Sequence, residues 1–285
     1  MHCNFIKMSQ ELSINCKGKL LTLGKPLVMG VINTNDNSFY KGSRVTDRDQ
    51  ILQKTAQMII EGADIIDLGV MTSKPGAQLS DPNQELETIL PILKIIKTSF
   101  SDIVISVDTI HSKVAEVVLN EGASIINDIT GGTFDSNMYG IVAAAKSPYV
   151  MMHIQGLPSN MQDNPIYDDV VMDISKYFVS NIKKAKDAGI TDIILDPGFG
   201  FGKTLDHNFD ILRQFEVFKI FDFPLLAGIS RKSMIWKTLD SDPENALNGT
   251  TALNMILLQK GANILRVHDV KEAVECVKLY NRLKG

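Results

Sequence analysis

The feature that most constrains this chain is a cycle repeated eight times. From Pro26 onward, short apolar runs alternate with stretches of helical periodicity. The runs are 27–33, 64–69, 103–108, 124–128, 149–153, 192–196, 225–230 and 264–267. The helical patterns fill 48–61, 84–98, 113–121, 137–146, 170–188, 207–221, 245–260 and 270–282. The runs are apolar on both faces, as parallel strands covered by helices are. Eight such units in a chain of 285 residues match a (β/α)8 barrel in count and length. A doubly wound open sheet is the weaker alternative, because no glycine-rich dinucleotide fingerprint is present. Gly62, Gly122, Gly189 and Gly261 each follow a helical stretch, where a left-handed C-cap turns the chain into the next strand. Residues 11–23 read as a small hairpin around Cys16–Lys19. The expected division is therefore 1–26, an N-terminal segment with the hairpin, and 27–285, the barrel.

Composition excludes several partners. A net charge of −4 without a Lys/Arg block argues against nucleic acid and anionic membrane. No apolar run approaches a membrane span, and the N-terminus lacks the order of a signal peptide. A cytoplasmic location is expected. The cysteines, Cys3, Cys16 and Cys276, are scattered and form no metal or redox motif.

In a barrel of this kind chemistry belongs at the C-terminal ends of the strands. Those ends carry Asn33, Asp67, Asp108, Asn127-Asp128, His153, Asp196, Ser230-Arg231-Lys232 and Arg266-Val267-His268. Asp67 and Asp128 are assigned to turns or helix caps, the usual employment of an acid after a strand. The others exceed what capping explains, because caps do not use His, Lys and Arg. If Ser230 caps the following helix, Arg231 and Lys232 fall in its first turn, where cations are disfavoured unless an anion compensates. The stretch Ile193–Lys203, IILDPGFGFGK, is a strand ending in an acid and opening into a glycine-rich loop. It is not a phosphate loop: Pro197 stands where the first glycine of GxxxxGK[ST] belongs and has no N–H to give. Lys203 likewise occupies the last glycine of GxGxxG.

The inventory describes a ligand. Asp108, Asp196 and Asn127 offer carboxylates and an amide to a donor-rich edge such as an aminopyrimidinone. Lys232 supplies a donor to a ring carbonyl or a ring nitrogen, and the planar guanidinium of Arg266 suits both a flat ring and an anion. Asn33, His268 and Arg266 form a candidate polyanion pocket. Met151, Met152 and Phe201 are apolar neighbours able to cover a ring. There is no Ser-His-Asp pattern, no His/Cys metal cluster and no covalent nucleophile.

These residues resemble a known family. Gly30-Val31-Ile32-Asn33, Ser106-Val107-Asp108-Thr109, Ile126-Asn127-Asp128-Ile129, Met152-His153, Asp196–Lys203, Ser230-Arg231-Lys232-Ser233 and Arg266-Val267-His268-Asp269 are similar to the motifs of bacterial dihydropteroate synthases, in the same order. The resemblance implies a (β/α)8 barrel, a homodimer, and condensation of 6-hydroxymethyl-7,8-dihydropterin diphosphate with p-aminobenzoate, aided by Mg2+. By position, Asp108, Asn127, Met152, Asp196, Phe201, Gly228 and Lys232 bind the pterin, with Arg266 stacked on it. Asn33, Arg266 and His268 hold the diphosphate, with Asn33 on the Mg2+. Ser73, Pro75, Phe201, Ser230 and Lys232 line the p-aminobenzoate pocket. Asn33, Lys232, Arg266 and His268 are the catalytic set, acting on a dissociative reaction.

Two loops depart from the family pattern. Thr34–Phe39 reads TNDNSF where V-T-P-D-S-F is usual, and Thr72–Gly76 reads TSKPG where S-T-R-P-G is usual. Asn37 replaces an acid, Asp36 a proline and Lys74 an arginine, changes that bear on turnover and on aminobenzoate affinity. They motivate an alternative, a catalytically weak paralogue that binds pterin. A pterin-dependent methyltransferase-type domain shares the strand-end acids but not SRKS or DPGFGFGK.

Overall fold

A computed structural model describes residues 12–33, 44–69, 81–157 and 159–284. The hairpin is there: β1 (Ser13–Cys16) pairs antiparallel with β2 (Lys19–Thr22), turning at Lys17 and Gly18, both at positive φ. Eight parallel strands follow, β3 (Leu27–Asn33), β4 (Ile65–Gly69), β5 (Val104–Asp108), β6 (Ile125–Asp128), β7 (Tyr149–Met152), β8 (Ile193–Asp196), β9 (Leu226–Ala227) and β10 (Ile264–Val267). Their order is β8-β7-β6-β5-β4-β3-β10-β9, and one parallel bridge, Leu195 to Leu225, joins the two ends into a nearly closed barrel.

Between the strands run α1 (Arg44–Glu61), α2 (Pro82–Ser99), α3 (Ser112–Asn120), α4 (Met138–Ala144), α5 (Val170–Asp187), α6 (Leu205–Arg213), α7 (Ser233–Trp236) and α8 (Leu247–Gln259), with α9 (Val270–Lys284) closing the cycle. The four predicted cap glycines sit at φ between +100° and +108°, a conformation glycine adopts without steric cost. Two expectations were too long. The stretch 207–221 breaks at Gln214 into α6 and a 3-10 segment, Phe215–Phe221, which ends at Asp222 in the left-handed region. The ninth strand keeps only Leu226 and Ala227 in regular pairing.

Side chains alternate across the barrel wall, as strand geometry requires. Val28, Ile32, Ile66, Leu68, Ile105, Val107, Ile126, Met151, Leu195 and Leu265 point outward into one core shared with the helices. Inward at the N-terminal end lie Leu27, Met29, Ile65, Val104, Ile125, Val150, Ile194, Leu226 and Ile264, and Ile14, Cys16 and Leu23 of the hairpin pack against them. The hairpin is thus a plug that seals the barrel floor. Burial there raises the Cys16 thiol to about 12, as fits a core residue and not a reactive one. Among the described residues no helix is long and apolar enough to cross a membrane.

Candidate active site

The site is the next inward layer, two residues along each strand from that apolar floor. Ile65 is followed by Asp67, Ile125 by Asn127, Ile194 by Asp196 and Ile264 by Arg266; on β5, Val104 is followed by Ser106 and then Asp108. Parallel pairing sets these positions side by side, with Asp67 opposite Ser106, Asp108 opposite Asn127 and Asp196 opposite Met152. Arg266 is the hub of one cluster. Its Nε donates to Asp67 Oδ2 at 2.7 Å and its Nη2 to Asp108 Oδ2 at 3.1 Å. Asn127 Nδ2 donates to the same Asp67 oxygen at 3.1 Å.

Asp67 therefore corrects the sequence reading. It is not a turn former after the strand but an interior strand residue, fully buried and ion-paired. The signal was present: its spacing from Ile65 repeats the Ile-x-polar pattern of β6, β8 and β10. Asp128 is on the opposite parity and does what was expected of it, accepting from the N–H groups of Thr130 and Gly132 and from the Thr130 and Tyr149 hydroxyls. Met151 shares the outward parity, so of the two methionines only Met152 faces inward. There it packs with Ile110, Ile129, Ile154, Met161 and Phe201 in a small apolar wall at the top of the barrel.

The glycine loop after β8 is held from within. Lys203, 3% exposed, donates to the carbonyls of His153 at 3.2 Å, Gly198 at 2.8 Å and Phe201 at 2.9 Å. Gln162 and Tyr167 reach across to the Gly200 and Gly202 carbonyls. Gly198, Gly200 and Gly202 all have positive φ. A Cβ at Gly198 would stand 2.0 Å from the His153 carbonyl oxygen, and one at Gly202 2.5 Å from that of Gln155. Gly198 and Gly202 thus let the loop pass close against the chain that follows β7. Asp196 Oδ1 accepts from Gly198 N at 2.7 Å, which turns the loop away from the strand.

Lys232 links this loop to the next. Its Nζ donates to the Phe199 carbonyl, lies 4.5 Å from the centre of the Phe201 ring, and its stem occupies the space beside Gly200. Burial lowers its pKa to about 8, against the opposing pull of Asp196. Burial likewise raises the Asp196 carboxyl, with Lys232 opposing. Asp108 lies above the usual carboxylate range because it is buried, Arg266 holding it down and Asp67 pushing it up.

The Ser230 segment differs from expectation. Helix α7 begins at Ser233 with Lys232 as its N-cap residue, so neither Arg231 nor Lys232 lies in its first turn. Ser230 caps nothing: its Oγ sits 3.0 Å from His268 Nδ1 and accepts from His268 N at 3.2 Å. Arg231 is paired with both carboxylate oxygens of Asp269, each at 2.8 Å, and its Nη1 donates to the Pro243 and Glu244 carbonyls. It is a structural tie.

A cleft of about 630 Å³ opens beside Lys232 and Phe201, lined also by Met161, Gly200, Ser233 and Trp236. Ser233, missed in the sequence, lines it; Ser230 does not. The reason is a helix start placed two residues too early in the sequence reading. Gly228 stands against the stem of Arg266. At the other side of Arg266, Asn33 ends β3 with its Oδ1 3.1 Å from where a Cβ on Gly69 would be. His268 is exposed as a residue, yet crowding of its ring, and then the Arg266 charge, lower its pKa to about 4, which keeps it neutral. Ser73, Pro75 and the departures at Asn35, Asp36, Asn37 and Lys74 lie outside the described residues.

The arrangement is a floor of acceptors with two cations at its edges, opening on an apolar, lysine-bordered cleft. A family model described as "Pterin binding enzyme" matches residues 29–268. The dihydropteroate synthase of Escherichia coli K12 is 40% identical over 267 residues, 92% of this chain and 93% of its own length. That of Synechocystis is 38% identical over 259 residues, 90% and 89% of the two chains. The chain belongs to the dihydropteroate synthase family. Among solved members, the Yersinia pestis dihydropteroate synthase in complex with a sulfonamide drug superposes with a TM-score of 0.89 at 37% identity, covering 96% of this chain and 99% of that one. The Xanthomonas albilineans dihydropteroate synthase with 4-aminobenzoic acid gives 0.89 at 32% identity, with the same coverage. The barrel expected from the sequence is thus the barrel of the family.

Proposed function

We propose that this chain condenses 6-hydroxymethyl-7,8-dihydropterin diphosphate with p-aminobenzoate, giving 7,8-dihydropteroate and pyrophosphate. The observation that carries this reading is the shared wall: Lys232 and Phe201, in contact with each other, border both the polar floor and the cleft. One ring binds on the floor and the other in the cleft, with the reacting carbon between them. Asp108, Asn127 and Asp196 accept from the donor edge of the pterin, and Lys232 donates to its carbonyl. Met152 and Phe201 cover its apolar surface, with Gly228 and the Arg266 guanidinium against the other. Phe201 and Lys232 border the aminobenzoate. Ser233, at the start of α7, replaces Ser230 as the group beside its carboxylate.

The chemistry follows from what the residues lack. With no covalent nucleophile aimed at the site among the described residues, the carbon–oxygen bond to the diphosphate breaks first, and pyrophosphate departs with both bonding electrons. The resulting pterin-methyl cation is delocalised into the ring. The amine nitrogen then forms the new bond and loses a proton to solvent. Preorganised charge does most of the work: Arg266, with His268 and Asn33, faces the leaving group. Asn33 is also the residue that would hold Mg2+. No group of three or more His, Cys, Asp or Glu able to hold a metal occurs among the described residues, and a single amide oxygen suits an ion bound mainly through substrate phosphates and water. Such an ion supplies charge to the leaving pyrophosphate when bound.

In this reading the partners are the two small molecules and a second copy of the chain, in the cytoplasm. Exposed Val217 and Ile220 on the 3-10 segment are apolar surface of the kind a second copy covers. The test is pyrophosphate release by purified protein with Mg2+ and both substrates, alongside mass detection of dihydropteroate. Pterin binding without product would replace this reading with that of the weak paralogue.

A further inference from the structure

Asp67 takes no part in the reaction as proposed, yet it lies at the centre of the polar layer. It has no accessible surface, whereas the side chains of Arg266 and Asp108 are 19% and 12% exposed. A ligand on the floor therefore touches those two and not Asp67. Any effect of Asp67 must pass through the groups it holds. One of its oxygens receives both Arg266 Nε and Asn127 Nδ2, and Oδ1 has no partner among the described residues.

We propose that Asp67 is a positioning residue that fixes the hydrogen-bond sense of Asn127 and the direction of the Arg266 fork, and so sets the donor–acceptor pattern the pterin meets. The inference rests on the reading of the site given above. An amide has two nearly isosteric ends, one a donor and one an acceptor, and nothing in its shape selects between them. An ionised carboxylate only accepts, so Asn127 must turn its NH2 toward Asp67. That leaves the oxygen and one N–H for the ring. The guanidinium is planar, and holding it by Nε on Asp67 and by Nη2 on Asp108 fixes its plane as well as its position. Deprived of Asp67, Arg266 keeps a single anchor about which it can turn, and Asn127 is free to flip.

Asp67→Asn conserves volume and removes the obligatory acceptor. In that variant the KM for the pterin diphosphate should rise tenfold or more while the KM for p-aminobenzoate stays within twofold. Combined with Arg266→Ala, the loss in kcat/KM should be smaller than the product of the two separate losses, because both changes act on one contact. A wild type that forms dihydropteroate, with an Asp67→Asn variant whose pterin KM is unchanged or whose losses multiply, would overturn the inference and leave the reaction standing. A wild type that forms no dihydropteroate would overturn the reaction, and the inference is then judged on pterin affinity by calorimetry in the same variants. If Asp67→Asn does not fold, the wild type still carries a test. The Arg266 Nε–H resonance should be protected from exchange by its buried acceptor, and free exchange would overturn the proposal.

Discussion

The two ends of this barrel are made by the same strands and differ by a step of two residues, or four on β5. At the N-terminal end the inward positions are Ile65, Val104, Ile125, Val150, Ile194 and Ile264, closed by Ile14, Cys16 and Leu23 of the hairpin. At the C-terminal end the same faces present Asp67, Asp108, Asn127, Asp196 and Arg266. The apolar end gains stability from removing hydrocarbon from water and asks only for fit. The polar end places three carboxylates and two cations in a poorly solvated space, where each ion requires partners. Stability and function are thus stacked along one axis, and a substitution at either end should report on one property and spare the other.

The largest effect is expected at the polar end. Lys232→Ala removes the cation facing Asp196 and the wall it shares with Phe201. Losing a charged hydrogen-bond donor costs roughly 1.5–3 kcal/mol and losing a desolvated cation–π contact up to about 2 more, so kcat/KM for the pterin substrate should fall by about two to three orders of magnitude. Thermal stability should change little, because the lysine itself carries a desolvation cost. Steady-state kinetics beside calorimetric unfolding would check this; a wild-type KM for the pterin would remove Lys232 from the site. The mirror experiment is Ile14→Ala in the plug. A buried Ile-to-Ala change costs about 2–5 kcal/mol, and here it should appear wholly as lost stability in denaturant titration, with both KM values intact. A changed pterin KM in Ile14→Ala would show that the two ends are coupled.

This division explains what the sequence made legible. Eight cycles and four cap glycines sufficed for the barrel, since periodicity and left-handed turns are local properties. Asp108, Asn127, Asp196 and Arg266 were legible because each is the last or next-to-last residue of its strand. Asp67 was harder: its spacing from Ile65 marks it as inward, but its role rests on Arg266, almost two hundred residues away in the chain, coming to meet it. Ser230 and Ser233 were exchanged for a smaller reason: which serine starts α7 depends on Arg231 adopting φ +55°, and that depends on its tertiary partner Asp269. The role of Lys203 was equally hidden, because three backbone carbonyls leave no mark on a sequence.

A third test uses pH. The Lys232 amine, lowered from 10.5 to about 8, must be charged to donate to the ring and oppose Asp196. Pterin affinity of the free protein should therefore fall about tenfold per unit as pH rises above 8. Stability should move the other way. Between about 8 and 10.5 the unfolded chain keeps the proton that the folded chain has lost, so unfolding becomes harder with rising pH over that window. On the acid side, the raised pKa of Asp108 means that the acceptor is lost well above the usual carboxylate range, and affinity should decline there too. Calorimetric affinities and unfolding free energies across pH, compared with Lys232→Met, isolate the lysine's share. Parallel slopes for affinity and stability above pH 8 would contradict the assignment.

The smallest effect sharpens the comparison from inside the polar end, where not every cation serves the ligand. Arg231 adjoins Lys232 in the chain and is spent on Asp269 and on two carbonyls. Its left-handed backbone costs roughly 1–2 kcal/mol for a residue with a Cβ, and the forked pair is what offsets it. Arg231→Lys keeps the charge and loses the fork. The pair is partly buried, which places its loss at about 1 kcal/mol of stability, between a screened surface pair and an interior one. Arg231→Gly keeps neither but relieves the backbone, so it should be no less stable than the lysine variant even though it deletes the whole side chain. Both should leave the pterin KM within about twofold, because the fork lies outside the floor and the cleft. A pterin KM that rose in Arg231→Lys while stability held would move Arg231 into the site and erase the distinction between the structural cation and its catalytic neighbour.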